Sequence, residues 1–503
     1  MFKSFQGAHV IDSYHKNKAK KRFKMDAYVK AIIAAIVSII IACLPTESLG
    51  IANLDAVQQR VIAIFVFAAV MWLTEAIPSW CTSVLIIVVM LFTISNNCLT
   101  PFAGVEGATY VPYKSIMACF ADPTILLFIG GFVLAIGMTK TKLDVVLAKK
   151  LLAPFGTNPS TVLMGFIMVT ALFSAFVSNT ATAAMMLAFL APVLRAMPEG
   201  SKDRVALAMA IPIGANIGGI ATPIGTPPNT IVLGYMNETL GMAVGFGEWM
   251  LKMVPFVVIL LLAAWMLLRI MFPFQQKEIK LKIEGEFEPS AQTHIVIWTF
   301  VVTIFLWCFS SVDFASIGLP QVAWNLGLNS NIVALLPVAI FCVTGVFTKH
   351  DLEEINWSVL WMVAGGFALG VALNTTKLSS VLVDAIPFAE WSPLLVMIIS
   401  GLVCFGFSNF ISHSAAASLL TPVLGVVAGA MATAGKLDEG GVAQMLIGVA
   451  IAASVSMILP ISTPPNAIAH STGFIQQKEM MTVGIIVGIL GLVIGYCWMF
   501  LVF

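Results

Sequence analysis

Charge is what this sequence has least of. Only 10% of its 503 residues are Asp, Glu, Lys or Arg, against about 25% in soluble domains. Twenty-six basic and 25 acidic side chains, a net charge of +1, cannot dress the surface of a soluble globule of this length. They make no basic footprint for nucleic acid either. Residues 151–194, 205–237, 391–435 and 440–477 hold no charged side chain at all. HExxH, GxSxG and Walker A sequences are also missing, so hydrolysis and ATP-driven pumping lack their residues. Eight cysteines lie scattered in apolar stretches without CxxC or Cys/His spacing. They support neither a disulfide framework nor a zinc site, and read as small, buried, inert side chains.

What is abundant is apolar surface: 59% hydrophobic residues and a mean hydropathy of +0.98. This is the composition of an all-α polytopic membrane protein. Segments near 26–46, 58–77, 79–97, 123–142, 254–272, 294–310, 331–347, 357–376 and 482–503 match the roughly 20 apolar residues of one span. The apolar run from Ala31 to Leu44 follows a basic stretch and has no small-residue cleavage site, so it reads as a retained first helix. Four regions, 160–197, 203–237, 393–430 and 441–474, are too long for one straight crossing, since 36 helical residues reach about 54 Å. Each carries Gly, Pro, Ser, Thr or Asn in its middle and is a broken helix or a re-entrant hairpin.

Flanking charge chooses between these. Lys140, Lys142, Lys149 and Lys150 precede 160–197, and Arg195, Lys202 and Arg204 follow or close it. Both ends therefore read as cytoplasmic, which makes the segment a hairpin. The basic N-terminus (Lys16, Lys18, Lys20, Lys21, Arg22, Lys24), the Lys277/Lys280/Lys282 loop and the Lys349 loop fall on the same side. The segment 393–430 then opens from outside. The expected architecture is about eleven transmembrane helices plus two re-entrant hairpins, with the N-terminus cytoplasmic in the cell (inner) membrane.

The chain repeats itself. GGFVLAIGMTKTKLDVVL (130–147) matches GGFALGVALNTTKLSSVL (365–382), FSAFVSNTATAAMML (173–187) matches FSNFISHSAAASLLT (407–421), and TPIGTPPNTI (222–231) matches LPISTPPNAI (459–468). Three blocks recur in one order at offsets of 234 to 237. With an odd number of crossings in each copy, the halves are expected to be inverted repeats, the best sequence pointer to a secondary transporter and its binding site. The expected organisation is 1–57, basic N-terminus and first helix; 58–272, repeat 1, with hairpin 160–197 and broken helix 203–237; 273–293, a cytoplasmic linker; and 294–503, repeat 2, with hairpin 393–430 and broken helix 441–474. Gly130-Gly131 and Gly365-Gly366 are read as close helix packing.

Polar residues concentrate at the breaks. Ser174, Ser178, Asn179 and Thr180 stand at the middle of the first hairpin, and Ser408, Ser412, His413 and Ser414 at the same place in the second. The four-residue spacing puts Ser174 with Ser178, and Ser408 with Ser412, on one helical face. Hydroxyls, an amide and freed carbonyls are hard oxygen ligands for a small cation, while freed N–H groups at a helix start suit an anion. Single Ser, Thr and Asn residues often only cross-link helices, but a set repeated in both halves points to function. In Gly225-Thr226-Pro227-Pro228-Asn229 and Ser462-Thr463-Pro464-Pro465-Asn466 two prolines remove two donors and push the preceding Thr towards an extended backbone. His413, the titratable group at a hairpin tip, replaces the Asn of the other half. An ion channel would show charge rings or a carbonyl filter, and an enzyme would need a partner for His413. Both remain as remote readings.

SNTAT followed by GTPPN, with a second degenerate copy of both, resembles the divalent anion:sodium symporter family of di- and tricarboxylate transporters. The resemblance runs from about residue 58 to the end. It implies a homodimer in the lipid bilayer whose transport domain slides against a scaffold as an elevator. It further implies that Asn179, Thr180, Thr226, His413, Ser414 and Thr463 hold substrate carboxylates. Ser174, Ser178, Asn179 and Gly225 correspond to a first Na+ site, and Ser408, Ser412, His413 and Ser462 to a second. The family's second motif is Ser-Asn-Thr, whereas this chain has Ser412-His413-Ser414. Imidazole is no substitute for an amide oxygen as a sodium ligand. Two readings therefore stand: Na+-coupled symport of a divalent organic anion such as succinate or a citrate-like acid, and sodium-independent dicarboxylate exchange with His413 in place of the second ion.

Overall fold

The computed structural model describes residues 25–242, 244–279, 289–309, 329–385 and 391–502. The basic stretch 1–24 and the linker residues Lys280 and Lys282 lie outside the described residues. Among the described residues the secondary structure is helical apart from an isolated bridge between Ser95 and Val111.

Three helices lead in: α1 (Met25–Cys43), α2 (Ala56–Thr74) and α3 (Ser79–Thr93). Then come α4 (Pro123–Lys140), α5 (Leu143–Leu152), α6 (Pro159–Ser174), α7 (Asn179–Ala196), α8 (Lys202–Gly218), α9 (Pro227–Gly234) and α10 (Phe246–Met271). Two elements follow, α11 (Ala291–Phe309) and α12 (Leu335–Val343). The order of α4 to α10 then recurs in α13 (Trp357–Thr375), α14 (Leu378–Ala385), α15 (Pro393–Ser408), α16 (His413–Thr433), α17 (Glu439–Ser454), α18 (Pro464–Ser471) and α19 (Gln477–Val502). Every expected break falls where the polar residues stand.

The local chemistry explains the boundaries. Asp55 and Gln58 form a reciprocal capping box at the start of α2, with bonds of 2.8 and 3.0 Å, which satisfies amides that no preceding turn can reach. Asn158, Ser201 and Asp438 cap α6, α8 and α17 through the amides of Ser160, Arg204 and Gly441. The segment expected as one span over 331–347 is divided into Ser330–Val333 and α12. Pro337 has no N–H to offer the Val333 carbonyl four residues back, so the helix breaks there.

Nine helices among the described residues are long and apolar enough to cross a membrane. They include α7, α8 and α16, which belong to the interrupted regions, while the apolar stretch of α1, expected as the first span, α3 and the divided segment before α13 fall short in length. Outward faces are apolar: Ile39, Ile270, Trp298 and Leu501 are more than half exposed. In water such a surface would drive aggregation, and in hydrocarbon it is the correct solvent. The cysteines depart from expectation in part. Cys119 and Cys404 are buried, but Cys43, Cys342 and Cys497 are exposed, because an outward position on an apolar helix needs only an apolar side chain.

The interior is built around α8 and α17, both buried almost throughout. α8 packs along α6 and α7, and α17 along α15 and α16. Glycine allows the closest approach, since a side chain at Gly218 would run into the Ala171 backbone. Gly130 lies against Ala334 and Gly365 against Ser83, so both glycine pairs do serve close packing. The halves also interlock, with α9 resting on α16 and α17, and α18 on α7 and α8. At one rim, Lys140 Nζ meets Asp351 Oδ2 at 2.6 Å, and the same oxygen accepts from the Thr348 amide and hydroxyl at 2.6 and 2.7 Å.

Candidate functional site

Each region expected as a hairpin is a helix–turn–helix unit. α6 ends at Ser174, four residues turn the chain, and α7 begins at Asn179 and packs back against α6. α15 and α16 repeat this around residues 409–412. The turn corrects one expectation. Ser174 and Ser178 do not share a helical face, because Ser174 closes α6 and is buried while Ser178 lies past the break and is exposed. Ser178 caps α7 by accepting from the Ala181 amide at 3.3 Å. Ser412 caps α16 through Ala415 at 3.2 Å, whereas Ser408 is buried at the end of α15. A serine hydroxyl beside four unsatisfied amides is worth more as a cap than as one more turn of helix.

In the first half, Ser174 Oγ stands 2.5 Å from Asn179 Oδ1 and 2.8 Å from the Ala215 carbonyl. A hydroxyl carries one hydrogen, so it cannot donate to both. Gly219 and Gly225 close the same pocket of oxygens: a Cβ on Gly219 would come within 2.8 Å of Asn179 Oδ1 and 3.0 Å of the Gly225 carbonyl. The result is a cluster rich in lone pairs and poor in protons, with no charged group among those named. That donor set fits a small hard cation.

The second half places different chemistry at the equivalent point. His413 Nε2 lies 2.6 Å from the Ser456 carbonyl. A carbonyl only accepts, so this nitrogen carries the hydrogen and Nδ1 is the ring atom left over. Ser456 corresponds to Gly219 by the 237-residue offset of the TPPN blocks. An imidazole N–H therefore occupies in this half a carbonyl that a side-chain amide, Asn229 Nδ2, takes at 3.1 Å in the other. Ser408 Oγ has the Cys404 sulfur 3.9 Å away, and Ser462 Oγ is engaged by Asn409. This donor set does not fit a second sodium ion.

The double prolines do what their chemistry dictates. Thr226 (φ −143°, ψ 141°) and Thr463 (φ −138°, ψ 150°) are extended, and the prolines open α9 and α18 instead of interrupting them. Sequence reasoning missed the residues that hold these unwound stretches. Asn229 Nδ2 shares its two hydrogens among the carbonyls of Gly219, Ile220 and Thr222, at 3.1, 3.2 and 2.8 Å. Asn466 Nδ2 donates to Met457 and Leu459 at 2.8 and 3.1 Å. Their signal was in view: Asn stands in both copies of TPPN.

A hydroxyl also ties each unwound stretch to its hairpin turn, from opposite ends in the two halves. Thr222 Oγ1 donates to the Ala175 carbonyl and accepts from the Gly225 amide at 3.1 Å. Ser462 Oγ donates to the Asn409 carbonyl at 2.9 Å and accepts from the Leu459 amide at 3.0 Å. Asn409 Oδ1 further accepts from the Ile458 amide at 2.8 Å. Asn216 of α8 reaches across, donating to Thr463 Oγ1 at 3.2 Å and Asn466 Oδ1 at 3.1 Å. The clusters of the two halves are thus joined. Thr180 is half-buried in the first turn of α7, and Ser414 buried in that of α16.

A family model described as "Citrate transporter" matches residues 69–443. A transporter of Haemophilus influenzae, itself uncharacterised, is 32% identical over 445 residues, covering 86% of this chain and 89% of the relative. The sodium-dependent dicarboxylate transporter SdcS of Staphylococcus saprophyticus is 28% identical over 474 residues, covering 88% and 85%. Among solved structures, MtrF of Neisseria gonorrhoeae superposes with a TM-score of 0.52 at 12% identity, over 93% of this chain and 97% of that one, a likeness of fold alone. Membrane-capable helices and a transporter family exclude the enzyme reading and make this an integral membrane protein. With paired hairpins, paired TPPN breaks and a family match across most of its length, the chain belongs to the citrate transporter family, among the di- and tricarboxylate transporters of the divalent anion:sodium symporter group.

Proposed function

We propose that this protein is a secondary active transporter of small di- or tricarboxylates, coupled to sodium through the first-half cluster. One observation carries the reading: four helices, α7, α9, α16 and α18, begin after a Ser or Thr at a chain break, and Asn216 of α8 bonds the first half to the α18 break of the second. At α7 and α16 the first amides lie free of the Ser caps, while α9 and α18, opened by prolines that have no N–H, contribute a positive dipole end and a Thr hydroxyl. Together these can bind carboxylates without a buried charged side chain. Asn179, Thr180 and Thr226 would take one end of the substrate, and His413, Ser414 and Thr463 the other. Sodium would sit among Ser174 Oγ, Asn179 Oδ1 and the Gly225 carbonyl, with Ser178 using its remaining lone pair.

The name of SdcS, a sodium-dependent dicarboxylate transporter, supports this coupling. The exchange reading has its own support in the His413 N–H on Ser456, a fixed donor where the second ion would lie. In this scheme 58–272 and 294–503 are inverted repeats, 273–293 is a cytoplasmic linker, and the N-terminus is cytoplasmic. The protein is a homodimer that works as an elevator in the cell membrane. Succinate uptake into proteoliposomes tests the proposal. Accumulation in empty vesicles under an inward sodium gradient establishes symport. Uptake confined to vesicles preloaded with dicarboxylate refutes sodium coupling in favour of exchange, and neither behaviour with succinate or citrate refutes carboxylate transport.

A further inference from the structure

Thr226 and Thr463 occupy the same place in the two halves but not the same state. Thr463 Oγ1 accepts the Asn466 amide at 3.2 Å, as a helix cap, and Asn216 Nδ2 at 3.2 Å. A hydroxyl has two acceptor lone pairs and one hydrogen, so both lone pairs are taken. Among the described residues no acceptor takes the hydrogen. Thr226 makes no side-chain cap, and the counterpart of Asn216 by the same 237-residue offset is Ala453. The missing partner leaves a second trace: Asn229 Oδ1 is buried without a hydrogen bond, while its equivalent in Asn466 accepts from Asn216 at 3.1 Å.

The network fixes which way Asn216 faces. Asn466 Nδ2 is committed to the carbonyls of Met457 and Leu459, so its Oδ1 must face Asn216. The Asn216 atom opposite an acceptor must be the NH2 group. That NH2 then necessarily donates to Thr463 Oγ1 as well.

We infer that Asn216 is a positioning residue that locks the Thr463 hydroxyl as a donor to the bound carboxylate, while the Thr226 hydroxyl rotates freely. The substrate's two ends then meet unequal partners. The carboxylate at the start of α18 is held by a preset donor and the one at α9 by a donor that orients only on binding. This rests on the carboxylate-binding role given above to the two threonines.

The test is a coupling cycle read in KM for succinate. Asn216→Ala returns the hydroxyl to three staggered positions and is expected to raise KM about threefold with Vmax nearly unchanged. Asn216→Asp supplies an acceptor for the Thr463 hydrogen and is expected to raise KM about tenfold or more, the worth of one hydrogen bond to a charged group. In a Thr463→Val background, where no hydroxyl remains to be locked, Asn216→Ala is expected to change KM no further. The sodium half-saturation constant stays constant throughout, which a general loss of structure would not allow. Equal KM values for wild type and Asn216→Ala, or an undiminished Asn216→Ala effect in the Thr463→Val background, overturn the lock while transport stands. If Asn216→Ala fails to fold, Asn216→Asp decides through the same cycle: a KM rise that vanishes in the Thr463→Val background supports the lock, and one that persists there comes from charge alone and overturns it. A wild-type protein that transports no carboxylate overturns the site assignment and the lock with it.

Discussion

Removing the Ser174 hydroxyl is the sharpest probe of the first-half cluster. In Ser174→Ala, Asn179 Oδ1 loses a neighbour at 2.5 Å and Ala215 O one at 2.8 Å. The Ala215 carbonyl keeps the Gly219 amide as its helical partner, so the fold loses little there. Net loss of one buried hydrogen bond is worth about 1 kcal/mol of stability. The effect on sodium is larger if the cluster is its site. An oxygen ligand to a charge is worth about 1.5–3 kcal/mol, or roughly 10- to 150-fold in half-saturation. Sodium activation of succinate uptake in proteoliposomes reads this directly, with sodium-dependent thermal shift of purified protein as the binding arm. Ser408→Ala is the internal control: its hydroxyl meets a sulfur at 3.9 Å in a cluster already served by the His413 N–H, so sodium dependence is expected to stay put. An unchanged sodium constant in Ser174→Ala, or equal shifts in the two variants, would refute the assignment of sodium to the first half alone.

Three further outcomes are expected. His413→Asn withdraws the N–H from Ser456 and restores an amide oxygen, so the sodium activation curve is expected to steepen towards a Hill coefficient of about 2; no change in slope removes His413 from the coupling scheme. Asn409→Ala leaves the Ile458 amide without its side-chain acceptor and is expected to destabilise the detergent-solubilised protein by about 1–3 kcal/mol, read as thermal inactivation rate. Burial works to raise the Asp351 carboxyl, but bonds from Lys140 and Thr348 outweigh it and hold its pKa below the usual carboxylate range. A depressed pKa contributes stability that is present above the unfolded value and lost as pH falls through the folded one. The stability difference between wild type and Asp351→Asn is therefore expected to be full near neutral pH and to shrink only below about pH 4; a difference independent of pH would show that charge plays no part.

Much of the architecture could be read from residues because the membrane imposes simple rules. Apolar length located the helices but not how many of them cross, since α3, the apolar stretch of α1 and the divided segment before α13 are short, and the four charge-free regions broke where Ser174, Thr226, Ser408 and Thr463 had marked them. The one-face reading of Ser174 and Ser178 failed because periodicity assumes a continuous helix, and the residues suited to a binding turn are also those that cap a new helix. Asn216 and Asn409 escaped notice for another reason. Neither stands in a matched polar pair: their counterparts are Ala453 and Ala175. A search for what the halves share cannot find what only one of them has. Their roles are set by contacts 49 to 250 residues away in the chain, which no local pattern carries.

The staple between unwound stretch and hairpin bears on how such halves diverge. In one half the hydroxyl is Thr222 and its donor amide Gly225; in the other they are Ser462 and Leu459. No single substitution turns one arrangement into the other. A lineage passing between them must cross a state with hydroxyls at both ends of the turn, or with none. The bare state abandons a buried carbonyl, so the doubly hydroxylated one is the passable route. Leu459→Thr alone should accordingly be tolerated in this chain, while Ser462→Gly alone should not. Introduced into the Leu459→Thr background, Ser462→Gly should become harmless. The two halves would then be interchangeable modules only in pairs of positions, a form of epistasis written into one turn.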